Sequence, residues 1–477
     1  MFKKVILRAG RSAVRGIWSL LPEQAKSQVR SGLAHIRARR LEKELSDLVL
    51  FEGARRRARA DGRFVEALLG PDFSDVNQLS RLTDLPATRF DLPELAVENI
   101  HDVESAAGYV VGLWLRDSEV RARFPRLFRD GGKEFLNWLR RKLGGPQASS
   151  ASALVQIEGL FARDFSARAR QAYFTNDELR AALPHGLTPP GMATLFRWYA
   201  RTGMERHGLA LVEVAWLFLQ ASQAPAEELL LAHAFSPDWQ EAHPDGSTIF
   251  GRQAFARWFA RTMGEDSAWL DASSWPDWME PDQHIRTSYW ARPEWRRDHP
   301  RALQDEACAS SFLHWLAAPG SPLSDEARAW CRAHGTTELA QRLTVTGLNV
   351  LGHFTYPSGL RVSVESLVQA ARSSHVPLSL RDVRADAKDD PYHVEFRGME
   401  CYDVTVIHTQ PEPFFDGAYA RAGLVPRSPR PYRIAFWYWE FDSIPATWID
   451  HAKDLDEVWA ATEFVGKGLG ERRPQPV

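Results

Sequence analysis

The run RIAFWYWEFDSIPATWID, residues 433–450, decides how the carboxyl-terminal part of this chain is read. Its apolar start predicts a buried strand that delivers Trp439 and Glu440 to a sheet edge. A helix opened by proline is predicted to follow near Ile444-Pro445. A strand end that presents a carboxylate beside aromatic rings is a wall for a ligand cleft.

Working outward from this run, apolar segments alternate with helical stretches. They are LTVTGLNVLG at 343–352, a helix from about 360 to 373, PLSLRDV at 377–383, YDVTVIH at 402–408, RIAFWYW at 433–439 and DEVWAA at 456–461. Short strands that are apolar on both faces and separated by helices predict a parallel α/β sheet with right-handed crossovers. Ligands bind such sheets at the carboxyl ends of the strands. Three of those ends carry chemistry. Ser358 and Gly359 open the first helix, whose amides suit a phosphate or a sugar hydroxyl. His408 ends the third strand and is followed by Thr409, Gln410, Pro411 and Glu412, while Trp439 and Glu440 end the fourth. Each residue also has a plain structural reading: a glycine turn, a satisfied core histidine, a solvated carboxylate. Their convergence on one edge makes them a candidate site.

Between about 112 and 316 the chain repeats itself. Four segments share an acidic residue, an apolar residue, a proline five positions later and an aromatic helix stripe ending in tryptophan. They run Glu119-Val120 to Pro125 and Trp138, Glu178-Leu179 to Pro184 and Trp198, Asp238-Trp239 to Pro244 and Trp258, and Glu294-Trp295 to Pro300 and Trp315. Each predicts a short helix stopped by proline, then a longer helix that buries its aromatic face. The tryptophans are read as core in preference to a sugar-stacking surface. His243 and His299, just before two of the prolines, are read as packing residues, since Phe124 and Leu183 stand there in the other copies.

Composition bounds the rest. The 477 residues carry 59 Lys and Arg against 61 Asp and Glu, which offers no whole-chain attraction for a polyanion. Residues 1–60 nevertheless carry a net charge of +10. Within residues 1–21 the apolar positions recur at three and four between basic residues, which predicts a basic amphipathic helix. It would lie either on an anionic membrane surface or against the protein body. The cluster Arg55, Arg56, Arg57 and Arg59 lacks the aromatic interleaving of a nucleic-acid site and is read as a solvated helix face. Three cysteines, Cys308, Cys331 and Cys401, without a CxxC pair fit a reducing compartment, and thus a cytoplasmic protein. No secretory signal is read at the amino terminus. The longest apolar run, 209–221, contains Glu213 and is too short to cross a bilayer.

Residues 343–477 resemble the amino-terminal half of a family 4-like glycosyltransferase of the GT-B class, of the kind found in bacterial polysaccharide assembly. The resemblance rests on GLNVLGHFTYPSGLRVSVESL, YDVTVIHTQPE, IAFWYWEFDSIPATWID and LDEVWAATEFV. It implies transfer of a sugar from a nucleotide-sugar donor to a saccharide or lipid-linked acceptor, with retention and without a metal or other cofactor. It also implies a site in which His408 and Glu440 are catalytic and Ser358, Gly359, Gln410 and Trp439 bind substrate. The family's second Rossmann-like domain would follow Val477, so the expectation is an acceptor-side half alone. The fold expected is therefore α plus α/β. Residues 1–60 form a basic helical segment, 61–340 a helical region of four repeats, and 343–477 one Rossmann-like domain, half of a GT-B fold. The Asp454-Leu455-Asp456 pair precedes a strand and is not read as a metal site. A competing reading is a non-catalytic helical scaffold or saccharide-binding protein whose transferase domain is truncated and inactive.

Overall fold

The computed structural model describes residues 96–143, 148–265, 268–385, 395–410, 415, 417–439, 445–451 and 454–470. The basic segment 1–60, with the predicted helix at 1–21, and Glu440, Pro411 and Glu412 lie outside the described residues.

Helices occupy the chain from Val103 to Thr344. The four proline-bearing segments share one local geometry. Each short helix is six residues long: Ser118–Arg123, Asp177–Ala182, Pro237–Ala242 and Pro293–Asp298. The residue that closes each one has nearly the same backbone, φ between −127° and −138° and ψ between 58° and 67°. The proline that follows cannot donate an amide and blocks another turn. The carbonyl left behind must find a donor, because a buried unpaired carbonyl is costly. In all four segments that donor stands ten residues earlier, on the preceding helix. Trp114 Nε1 donates to Phe124 O at 3.1 Å, Tyr173 Oη to Leu183 O, His233 Nε2 to His243 O at 2.7 Å and Tyr289 Oη to His299 O at 2.9 Å. A second link runs the other way in three segments: Arg121, Gln240 and Arg296 donate to Leu115 O, Ala234 O and Trp290 O, each six residues earlier.

The longer helices are Gly132–Lys142, Pro189–Trp198, Arg252–Met263 and Glu306–Ala317. Phe135, Leu195, Phe255 and Phe312 are fully buried on them. Trp198 is buried, and Trp138, Trp258 and Trp315 are half-buried. The His243 ring packs 4.8 Å from Trp258 and 5.6 Å from Phe255, and His299 lies 4.8 Å from Trp315 and 5.0 Å from Phe312. Both histidines fill packing positions.

The sheet follows. Its strands are β1 (Leu348–Gly352), β2 (Leu378–Asp382), β3 (Val404–His408), β4 (Tyr432–Trp437) and β5 (Glu457–Ala460). All pair in parallel in the order β2-β1-β3-β4-β5. The predicted strand at 343–352 begins later than expected. Thr336 caps a helix, Thr337–Thr344, that buries Leu339, Ala340 and Leu343 and takes up the first residues of that run.

Polar side chains join the helical region to the sheet. Tyr402 Oη donates to the buried carboxylate of Asp282 at 3.1 Å. Gln240 Nε2 donates to Gly423 O at 2.8 Å, and its Oε1 accepts from Val425 N at 3.0 Å. The Arg427 guanidinium lies 4.2 Å over Trp290. Among the described residues no helix is long and apolar enough to cross a membrane.

Candidate functional site

The strand order reverses direction between β1 and β3, and at such a switch point the loops after the two strands part and leave a crevice. A cleft of about 550 Å³ opens there. It is lined by His353 after β1, Tyr356, Ser358, Gly359, Leu360 and Ser363 on the way into and along the next helix, Ala385 after β2, Gln410 after β3 and Tyr438 after β4. None of these lining side chains is an acid, a lysine or an arginine.

The local sequence explains how these groups are held. Gly352 and His408 are opposite one another where β1 and β3 end. A Cβ on Gly352 would come within 2.8 Å of Val364 Cγ2, so the missing side chain is what lets the cleft helix, Gly359–Ser373, lie close on the sheet. Ser358 caps that helix by accepting from Arg361 N at 3.3 Å. Gly359, also on the cleft wall, is different: a Cβ there would meet nothing within 4 Å. Asp382, at the end of β2, accepts from Phe354 N at 2.6 Å and Thr355 N at 3.3 Å and anchors the loop after β1.

Two imidazoles sit beneath the cleft. His353 donates from Nδ1 to Val383 O at 2.6 Å, which leaves Nε2 to accept from the Thr409 hydroxyl at 3.3 Å. Burial lowers its pKa below the usual histidine value. His408 is fully buried, and desolvation pushes it down to about 4, so it is neutral at pH 7. Its Nε2 lies 2.9 Å from Ser363 Oγ, and the same Oγ bonds the Tyr438 hydroxyl.

Of the residues proposed from sequence, Ser358, Gly359 and Gln410 share the cleft wall. His408 lies behind that wall and reaches it through Ser363. Trp439 packs edge-on against Trp448, ring centroids 4.4 Å apart, and is not among the lining residues. Glu440 lies outside the described residues. Sequence reading overlooked His353, Ser363 and Tyr438. The signal for Tyr438 was the strand's own alternation: Phe436 and Tyr438 face His408, while Trp437 and Trp439 face Trp448. Asp456 pairs with Arg430 at 2.7 and 2.8 Å and accepts from Arg433 N at 2.7 Å, an ion pair that joins β4 to β5. Among the described residues no group of three or more His, Cys, Asp or Glu could hold a metal ion.

Comparison of the chain with protein-family models, with curated proteins and with solved structures returns no match.

Proposed function

We propose that this protein is a glycosyltransferase whose cleft beyond β1 and β3 binds a nucleotide-sugar and a saccharide or lipid-linked acceptor. The observation that carries the reading is the cleft's chemistry at that place in the sheet. Hydroxyl and amide groups from Ser358, Ser363, Gln410 and Tyr438, with the Tyr356 ring, line a cavity within the size range of small-molecule sites. Such groups suit a ligand rich in hydroxyls. The amides that open the cleft helix suit a phosphate oxygen. The sequence resemblance to the family 4-like enzymes supports the transfer chemistry and keeps Glu440, two residues beyond Tyr438, as the proposed catalytic carboxylate. The helical region is part of the proposal: four tandem units stacked through their aromatic faces. Residues 1–21 are proposed to touch an anionic membrane surface.

The second reading is a saccharide-binding protein without transfer activity. It is favoured by a cleft lining with no charged side chain among the described residues, which suffices for binding but supplies no strong general base.

One experiment separates them. Calorimetric titration with a panel of uridine and guanosine diphosphate sugars and free oligosaccharides is followed by assay for released nucleoside diphosphate. The transferase reading expects a nucleotide-sugar to bind and nucleoside diphosphate to appear when acceptor is added. Oligosaccharide binding without nucleotide binding would leave only the second reading. Gly359→Leu places a bulky side chain in open space, so it should abolish binding at this cleft without unfolding the protein. Equal affinity in wild type and variant would show that the ligand binds elsewhere.

A further inference from the structure

We propose that the pocket between the helix Pro281–Ala291 and the outer edge of β2 is a second binding site, and that its ligand is a small organic anion: a carboxylate or phosphate monoester on an apolar body. The proposal goes beyond the cleft and does not depend on what the cleft binds.

The strand order leaves β2 at one edge of the sheet. Residues 396–399 run along that edge: Gly398 N donates to Leu380 O at 2.8 Å, and Asp382 N donates to Phe396 O at 3.2 Å. The helix Pro281–Ala291 is tied to the same strand by Gln283, whose Nε2 donates to Leu378 O at 3.1 Å. These surfaces enclose a pocket of about 310 Å³, at the lower end of the range for small-molecule sites. It lies beside Leu378, Ser379 and Leu380, the amino-terminal part of β2, whereas the cleft opens beyond the carboxyl ends of the strands. The two share no lining residue.

Charge separates the two sites further. No charged side chain lines the cleft, but Arg372 and Arg397 line this pocket against a single carboxylate, Glu395. The Arg397 guanidinium lies 4.1 Å over the ring of Trp278, another lining residue, and that stack orients it. Arg372 stands in the last turn of the cleft helix, exposed, and has no hydrogen-bond or ion-pair partner among the described residues. Two guanidiniums suit a carboxylate or a phosphate, whose oxygens match the planar fork of donors. Cys401 adds no competing negative charge, because burial pushes its thiol up to about 12. Met279 and Met399 supply an apolar wall that adapts to an irregular body. An inorganic ion would leave that wall uncovered.

Calorimetric titration of the full chain at pH 7 with phenyl phosphate and with phenylacetate tests the site, with inorganic phosphate and phenol as controls. At least one of the two organic anions is expected to bind with a Kd of about 1 mM or tighter, and which one binds names the charged group. Both controls should bind at least about tenfold more weakly. Arg372→Glu should weaken binding about tenfold or more, and Arg372→Gln by less. The side chain is exposed at a helix end, so both variants should keep the wild-type melting curve. Gly359→Leu, in the cleft, should leave the affinity unchanged. Absence of binding by both anions would overturn the proposal. Equal binding of phenol would remove the need for charge, and equal binding of inorganic phosphate the need for an apolar body; either result overturns it. So does an affinity unchanged in Arg372→Glu or lost in Gly359→Leu, since each places the anion elsewhere.

Discussion

The guanidinium of Arg381, on β2, lies 4.3 Å over the ring of Phe235, which closes the helix Pro225–Ala234. Both residues are buried, and the same guanidinium donates to Ala422 O at 2.8 Å and Gly423 O at 2.9 Å and also bonds Ala234 O. One side chain thereby joins the sheet, the helical region and the turn after Ala418–Arg421.

Replacing it tests that junction. Arg381→Met keeps apolar contact with Phe235 and removes the guanidinium donors from Ala422 O, Ala234 O and Gly423 O, of which the last two keep Gln240 Nε2. The expected cost is about 2–4 kcal/mol of stability, read as a lowered urea midpoint. A loss under about 1 kcal/mol would mean that water reaches those carbonyls.

The donor that stands ten residues before each closing carbonyl makes a second prediction. Tyr289→Phe keeps the ring, which packs 5.8 Å from Phe312, and removes the hydroxyl that bonds His299 O. Thermal unfolding should show a loss of about 1–2 kcal/mol, and Tyr173→Phe a similar one at Leu183 O. An unchanged transition in both would show that these carbonyls do not depend on the donors.

Acid should destabilise the fold before its carboxylates titrate. Burial pushes His233, His284 and His408 from 6.5 down to about 4. The unfolded chain takes up protons below pH 6.5 while the folded chain refuses them until about pH 4. Stability is therefore full above pH 6.5 and falls between 6.5 and 4, by up to about 1.4 kcal/mol per pH unit for each histidine. Urea midpoints at pH 7, 6 and 5 measure the slope. His408→Gln should flatten it, and an unchanged slope would mean that His408 titrates equally in both states.

Two glycines beside the cleft should behave oppositely. Gly352→Ala places a methyl 2.8 Å from Val364 Cγ2 and 3.4 Å from His408 Cβ, and is expected to cost about 1–3 kcal/mol by pushing the cleft helix outward. Gly359→Ala meets nothing within 4 Å and should be neutral, or stabilise by a few tenths of a kcal/mol up to about 1. Melting curves of the two variants decide it; equal losses would contradict the close packing at Gly352.

Much of the sheet was legible because strands buried on both faces must be apolar throughout. YDVTVIH was read as a strand at 402–408 and the strand runs Val404–His408; PLSLRDV was read at 377–383 and runs Leu378–Asp382. The short helix before each proline was legible for a similar reason, since proline acts on its own turn whatever surrounds it. The site was harder to read. Trp439 drew attention as the last aromatic of its run, yet the pleat turns it toward Trp448 and turns Tyr438 toward the cleft. Ser363 looks like any polar residue on a helix until the helix is laid on β3 and its hydroxyl meets His408.

Local pattern thus settled which stretches become helix and strand, where proline stops a helix, and which residues stand at strand ends. These depend on neighbours within a turn or a few residues, so the chain declares them directly. Strand order, the switch point beside β1 and β3, the donor for each closing carbonyl and the link from buried His408 to Tyr438 belong to long-range packing. Ser363 and Tyr438 are 75 residues apart in the chain. No periodicity spans that distance, and only the docking of the cleft helix over Gly352 brings the two hydroxyls together.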